Sequence, residues 1–273
     1  MITNKNKYLA YFFNKFDYLI RFLYSQLSLN KLFFWKLYSS DFERLDSSFE
    51  KVHFFLKSHN FSFQDKTCLE LGPGNSYVNA YNFLFNGSNK VVLVDKYPRH
   101  IKTKKQKAFF QKEKEFIKTK YNNKEIDFDK IVFISKDLSE VELNEEIDFV
   151  YSISVFEHIK NVEENIKKLS SILKKGGFLY HLIDMRDHYN FDNPFLFLKY
   201  SKKTWENYLT KKGVSYTNRI RYSEFKEIFE KNGFEIISEQ ITRYPMPNKI
   251  YKAFNKDDKN IDIGIWRVLM MKK

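Results

Sequence analysis

The stretch Thr67-Cys-Leu-Glu-Leu-Gly-Pro-Gly-Asn-Ser76 decides the fold. Thr67–Leu71 is a short apolar run of strand character, and it leads into a turn in which Gly72 and Gly74 flank Pro73. Helix-spaced apolar residues follow: Tyr77, Val78, Tyr81, Phe83, Leu84 and Phe85. A strand, a glycine-bearing turn and a helix N-terminus, in that order, open a nucleotide-cofactor fold. Without a Cβ, the backbone at 72 and 74 can bend sharply and lie against a ligand, while Pro73 stiffens the turn between them. The dinucleotide fingerprint needs a third glycine three residues after the second. Residue 77 is Tyr, which argues against a pyrophosphate seat and so against NAD or FAD.

Outward from this turn, strands and helices alternate. Lys90-Val-Val-Leu-Val-Asp95 reads as a second buried strand ending in an acid. Its distance from the glycines suits a carboxylate that accepts hydrogen bonds from both ribose hydroxyls. Residues 102–120 carry mixed Lys and Glu with helix-spaced Phe109, Phe110, Phe116 and Ile117, the pattern of a solvated helix face. Lys130–Ile134 is a third strand, followed by Ser135-Lys136-Asp137-Leu138. Ile147–His158 holds a fourth strand and its turn, and Val162–Lys175 a helix that Gly176-Gly177 is expected to cap. A fifth strand then begins at Phe178. Such alternation implies a parallel sheet. The tail departs from it: a helix over 222–232 precedes two successive strand-like runs, 234–241 and 264–271.

The run Glu70-Leu71-Gly72-Pro73-Gly74-Asn75-Ser76 resembles the first motif of class I S-adenosylmethionine methyltransferases. The resemblance extends by motif over about residues 66–183, through Asp148 and Glu157-His158 in and after strand four, and by layout alone over 222–271. It implies the Rossmann-like α/β fold of that family: a seven-stranded, mostly parallel sheet with the last strand antiparallel and helices on both faces. Residues 1–65 form an N-terminal helical extension in this reading, and 66–273 the catalytic domain with an acceptor-binding insertion at about 184–221. The resemblance implies S-adenosylmethionine as cofactor, leaving as S-adenosylhomocysteine. Glu70, Gly72, Gly74, Asn75 and Ser76 would hold its methionine end, Asp95 with Lys96 its ribose, and Asp137 with Leu138 its adenine. Ser152 would lie at the same carboxyl edge of the sheet.

The stretch most able to carry chemistry is His181-Leu-Ile-Asp184-Met-Arg-Asp187-His188-Tyr189, which places two His and two Asp at the end of strand five in a chain with six His in all. A sulfonium already activates the methyl group, so the protein's work is alignment and exclusion of water. An alcohol acceptor also loses a proton, and a His or Asp within hydrogen-bond reach would take it. His188 and His181 are the candidate bases, with Asp187 or Asp184 orienting the imidazole, and His158 is a further candidate. His181, in mid-strand, reads equally as a core histidine. Beyond it, the aromatic segment 189–221 ends in Asn218-Arg219-Ile-Arg221. Tyr189, Arg219 and Arg221 are the expected acceptor ligands, because Arg forks suit phosphate or carboxylate. His181, Asp184, Asp187 and His188 have the atom types for a divalent ion. Metal-binding relatives carry Glu-x-x-Glu-His before the fourth helix, however. Here Ser154-Val-Phe-Glu157-His158 lacks the first Glu, and the expectation is a site without metal.

Residues 181–221 are similar to bacterial methyltransferases found with surface-polysaccharide (capsule) synthesis, which implies O-methylation of a sugar, a sugar nucleotide or a phosphorylated precursor. The net charge of +13 raises a nucleic-acid substrate as the alternative. The lysines are scattered rather than striped, and strand four lacks the Asn/Asp-Pro-Pro-Tyr of base amino-methylation, reading Tyr151-Ser-Ile-Ser154 instead. Carbon-5 methylation needs a nucleophilic Cys, and the lone Cys68 lies in the first strand. A non-catalytic relative that binds the cofactor is the third reading. No signal-peptide pattern or membrane-length apolar run is present, so a cytoplasmic protein is expected. Aromatic and basic residues of the N-terminal helices leave room for a peripheral membrane contact.

Overall fold

The computed structural model describes residues 19, 41–97, 101–125, 127–188, 190–210, 216–247, 249–254 and 258–273. Most of the N-terminal half of the helical extension expected over residues 1–65, and Tyr189, fall outside these. No helix among the described residues is long and apolar enough to cross a membrane.

The described elements start with α1 (Phe42–Ser58), whose first turn is capped by Asp41 accepting from the Arg44 amide at 3.1 Å. Then follow β1 (Thr67–Leu71), α2 (Val78–Phe85), β2 (Lys90–Val94), α3 (Lys104–Lys120) and β3 (Ile131–Ile134). Next come β4 (Ile147–Ile153), α4 (Val162–Ile172) and β5 (Leu173–Asp184). Short helical turns at Leu196–Lys199 and Trp205–Leu209 lead to α5 (Tyr222–Lys231), β6 (Phe234–Arg243) and β7 (Ile263–Lys272). All strands join one seven-stranded sheet in the order β3-β2-β1-β4-β5-β7-β6. β1 to β5 run parallel, and β7 is antiparallel to both β5 and β6. This is the expected topology, and the strand order reverses beside β1, which is where open α/β sheets bind ligands.

Alternation of side chains along the strands divides the core into two layers. Leu69, Leu71, Val92, Val94 and Val150 face α4 and α5, packing with Ile166, Leu169, Phe225, Phe229 and Trp266. Cys68, Val91, Leu93, Phe149 and Tyr151 face the other way, against Phe49 of α1, Phe63 and Phe83 of α2. The Phe63 ring stands edge-on to Phe83 and Phe149, with centroids 5.2 and 5.4 Å away. Each fully buried ring contributes about 1.5–3 kcal/mol relative to exposure. Cys68 is sealed in this layer, and burial pushes its thiol up to about 12, which makes it inert as a nucleophile.

Gly176 and Gly177 do not cap a helix. α4 stops at Ile172, because Leu173 is already paired with Ile147 as a strand residue and fully buried. The next partner of β4, Phe149, is Phe178, so residues 174–177 bulge outward. Gly176 supplies the positive φ of +74° that the bulge requires. Asp148 holds this amino edge together, accepting from the Thr67 amide and the Lys174 ammonium, both at 2.9 Å. It lies at the opposite end of β4 from the ligand edge, and its role is structural.

Candidate active site

At the carboxyl edge of β1, Gly72 and Gly74 adopt φ of +70° and +62°, a region that favours glycine. A Cβ at Gly72 would sit 2.5 Å from Cγ2 of Val155, whereas one at Gly74 meets no atom within 4 Å. The β1 turn is thus pressed against the turn after β4 and open on its other side. Ser76 accepts from the Val78 amide at 3.3 Å, helping to start α2, and Asn75 is half-buried beside it. The Tyr77 amide, also at the helix start, donates to Glu113 of α3 at 2.8 Å. Glu113 is buried, so one acid of the apparently solvated α3 face is a structural ligand of the motif.

Glu70 is almost fully enclosed. One oxygen accepts from the Asn79 amide at 2.7 Å, and the other is buried without a partner. Burial is the main cause that pushes its carboxyl up to about 8. Asp95 accepts from the Gly74 amide at 3.2 Å and the Tyr97 amide at 2.9 Å. These bonds tie the end of β2 to the glycine turn. Partial burial raises the Asp95 pKa, against the pull of the two amides. Asp137 begins the turn after β3 and accepts from the Ser139 hydroxyl at 3.1 Å, and exposed Lys96 reaches to 3.7 Å from its other oxygen. Leu138 corrects the expectation: its side chain is buried in the core, leaving only backbone for a ligand.

Ser152 and His181 are also removed from the edge. They are cross-strand neighbours in β4 and β5, both fully buried, with the Ser152 hydroxyl 2.7 Å from His181 Nδ1. The imidazole is sandwiched by Phe156 and Phe229 at 4.8 and 5.6 Å, and burial pushes its pKa down to about 3. A ring closed in this way is a core histidine and has no access to an acceptor.

The groups that do converge are Glu157, His158, Asp184 and His188. Positive φ at Ser154 (+55°) turns the chain out of β4, so that Glu157 and His158 lie in a short helical turn, Phe156–His158. His158 Nδ1 lies 2.6 Å from the Tyr216 carbonyl; a carbonyl only accepts, so Nδ1 carries the proton and Nε2 the lone pair. Asn218 fastens the same turn, its side-chain amide donating to the Phe156 and Ile159 carbonyls at 2.7 and 2.9 Å. The His158 and His188 rings stand edge to face, 4.9 Å apart. His188 Nε2 is 3.7 Å from Asp184 and 3.9 Å from Glu157, too far for hydrogen bonds. Asp184 is held by a two-pronged Arg186 fork at 2.7 and 2.8 Å. Asp187 is buried, and its amide donates to the Pro194 carbonyl. The carboxylates within 4 Å of His188 Nε2 are Asp184 and Glu157. Burial lowers the pKa of both His158 and His188 and raises that of Glu157 well above the carboxylate range.

The arginines differ from expectation as well. Arg221 is buried and spends its fork on three carbonyls: Met185 at 2.7 Å, Ile261 at 3.0 Å and Ile263 at 2.6 Å. It binds the loop after β5 to the start of β7, and its main role is structural, although it also lines the groove described below and its Nε is buried without a hydrogen-bond partner. Arg219 donates to the Tyr200 carbonyl at 2.7 Å and lies over the Trp205 and Phe254 rings. One side of Arg219 borders a groove of about 440 Å³ that Lys160, Lys202, Tyr216 and Asn218 also line. The groove adjoins the His158 turn through Tyr216 and Asn218 but excludes the glycine turn and Asp95. A second cavity, between Lys66, Asp148 and Lys174, lies at the amino edge, remote from this chemistry.

Fold and site define a cofactor-dependent group-transfer enzyme. A methyltransferase-domain family model matches residues 41–239, and the chain belongs to that family. No curated protein matches the chain. Among solved structures, it is similar to a candidate S-adenosylmethionine-dependent methyltransferase from Listeria monocytogenes (16% identity, TM-score 0.48), covering 80% of this chain and 96% of that one. It is also similar to an S-adenosylmethionine-dependent methyltransferase from Mesorhizobium loti (14% identity, TM-score 0.47; 80% and 95% covered). The chain is a methyltransferase. The residues present fit the S-adenosylmethionine that the β1 motif implies: a buried carboxylate with an unpartnered oxygen, Glu70, leads into a turn of two left-handed glycines, open on one side.

Proposed function

We propose that the chain transfers the methyl group to a hydroxyl of a small polar acceptor: a sugar, a sugar nucleotide or a phosphorylated precursor of a surface polysaccharide. The observation that carries this reading is the contact between Gly72 and Val155. It sets the cofactor turn directly against the turn that bears Glu157 and His158. S-adenosylmethionine supplies a methyl group already activated by its sulfonium. Glu70 and the amides of the glycine turn would bind its methionine end, Asp95 its ribose and Asp137 its adenine. His188, half enclosed between His158 and Phe191, would accept the proton of the acceptor hydroxyl, with Asp184 stabilising the imidazolium that forms. His158 is held by Tyr216 in the tautomer whose Nε2 is a lone-pair acceptor, and it can share that task. The adjoining groove is mixed in charge, lined by Lys160, Lys202, Arg219 and Arg221 together with Glu206, Glu224 and Asp258, which suits a polar acceptor carrying both hydroxyls and charge.

The test compares single variants by S-adenosylhomocysteine release over a panel of sugar nucleotides and sugar phosphates. Asp95→Ala should lose cofactor affinity, measured by calorimetry. His188→Ala should keep that affinity and slow transfer about 100-fold or more, the usual scale of a general base. Wild-type turnover in His188→Ala would remove His188 as base, and unchanged affinity in Asp95→Ala would refute the ribose assignment.

A further inference from the structure

We propose that Glu157, His158 and His188 form a binding site for one divalent transition-metal ion. One ligand atom from each of the three lies within 4.8 Å of the other two. Glu157 is 1% exposed, and neither of its oxygens makes a well-formed hydrogen bond; the Ser154 side chain and the backbone at 157 and 184 give it only weak polar support. His188 Nε2 is likewise buried and without a hydrogen-bond partner. A buried carboxylate with both oxygens this weakly supported costs several kcal/mol unless something compensates it. The compensation is not a hydrogen bond to His188, because 3.9 Å separates the two. Two ligands that share an ion at about 2.1 Å from each lie roughly 3–4 Å apart; the 3.9 Å between Glu157 and His188 matches that, and the wider span of 4.8 Å closes with a small ring movement.

The surrounding groups have the form that metal histidines require. The second nitrogen of His158 donates to a backbone carbonyl, that of Tyr216, which fixes the ring and presents Nε2. Asn218 clamps the same turn from two sides. Asp184, 3.7 Å from His188 Nε2 and neutralised in part by Arg186, lies in the second layer. Two imidazoles and one carboxylate favour Zn²⁺, Mn²⁺, Fe²⁺ or Co²⁺ over Ca²⁺ or Mg²⁺, which take all-oxygen shells. Three protein ligands leave positions open, as in sites that bind a reactant rather than brace a fold. On the proposed reading of the reaction, an ion held by the His158 and His188 lone pairs would take over the part given there to His188: the open position would hold the acceptor hydroxyl and lower its pKa, its proton passing to solvent. The ion site itself stands on the geometry and does not require that reading.

The experiment uses the full chain, treated with chelator, dialysed and titrated with Co²⁺. Binding is followed by visible ligand-field absorption and by calorimetry, and neither readout needs turnover. One Co²⁺ per chain is expected. Glu157→Gln, His158→Ala and His188→Ala should each weaken it at least ~10-fold, while His59→Ala leaves it unchanged. Thermal melts identify any variant that fails to fold, and His188→Gln then replaces His188→Ala. The proposal is overturned by no saturable binding, or by equal Co²⁺ affinity in wild type, Glu157→Gln and the folded His188 variant. Stoichiometric Co²⁺ binding without methyl transfer would support the ion site and count against the proposed reaction alone.

Discussion

Glu70→Gln isolates the electrostatic cost built into the cofactor turn. Burial lifts the Glu70 carboxyl from 4.5 to about 8, so between those values the native chain holds a proton that the unfolded chain has released. The stability this group contributes is complete below pH 4.5 and is lost as pH rises through about 8. At about 1.36 kcal/mol per pH unit, that interval sets a ceiling of about 5 kcal/mol on the loss. Local opening and the Asn79 amide reduce it, and about 1–3 kcal/mol is the working expectation, as for one imperfectly satisfied buried polar group. Glutamine keeps the oxygen that accepts from Asn79 and cannot ionise. Urea melts of wild type and variant should therefore differ little at pH 5, and the variant should be the more stable at pH 9. Other titrating groups cancel in the comparison. A variant equally displaced at both pH values, or less stable at pH 9, would refute the argument. The same carboxyl should lose its proton when the cationic methionine end binds. Calorimetry of S-adenosylmethionine binding at pH 7 in two buffers of different ionisation enthalpy should then register proton release in wild type and none in Glu70→Gln.

Further outcomes follow from single contacts. Gly72→Ala places a methyl 2.5 Å from Val155 at a φ of +70°; it should cost about 1–3 kcal/mol in a melt and weaken cofactor binding. Arg221→Met removes three donors from buried carbonyls and should destabilise by about 3 kcal/mol or more. Cofactor affinity measured below its melting range should be nearly unchanged, whereas an acceptor-specific rise in KM without loss of stability would restore Arg221 as a substrate ligand.

The parts of this fold legible in the sequence were those set by local pattern. The β1 run, its two glycines and Asp95 lie within one βαβ unit, so spacing alone placed them. The late antiparallel pair was readable because α5 and Gly233 delimit it. The parts not legible were set by partners distant in the chain. Gly176-Gly177 reads as a helix cap until Leu173 is seen paired with Ile147. Arg219 and Arg221 have the chemistry of an anion clamp, and only the positions of the carbonyls at 185, 200, 261 and 263 show where Arg221, and part of Arg219, are spent. His181 and His188 are alike in sequence. His181 lies within β5 and points into the Phe156–Phe229 layer, whereas His188 lies beyond the strand end at Asp184. Asn218, which locks the His158 turn, carried no signal, because its carbonyl partners lie about sixty residues away.

The central claim is that an adenosyl sulfonium cofactor lies across the carboxyl edge of this sheet, on the Gly72–Gly74 turn. A crystal structure of the chain with S-adenosylhomocysteine tests it most directly. The account predicts density along that turn, with the ribose hydroxyls on Asp95 and the sulfur facing the Glu157–His188 cluster. Density elsewhere, or a nicotinamide dinucleotide taking that place in competition, would contradict it.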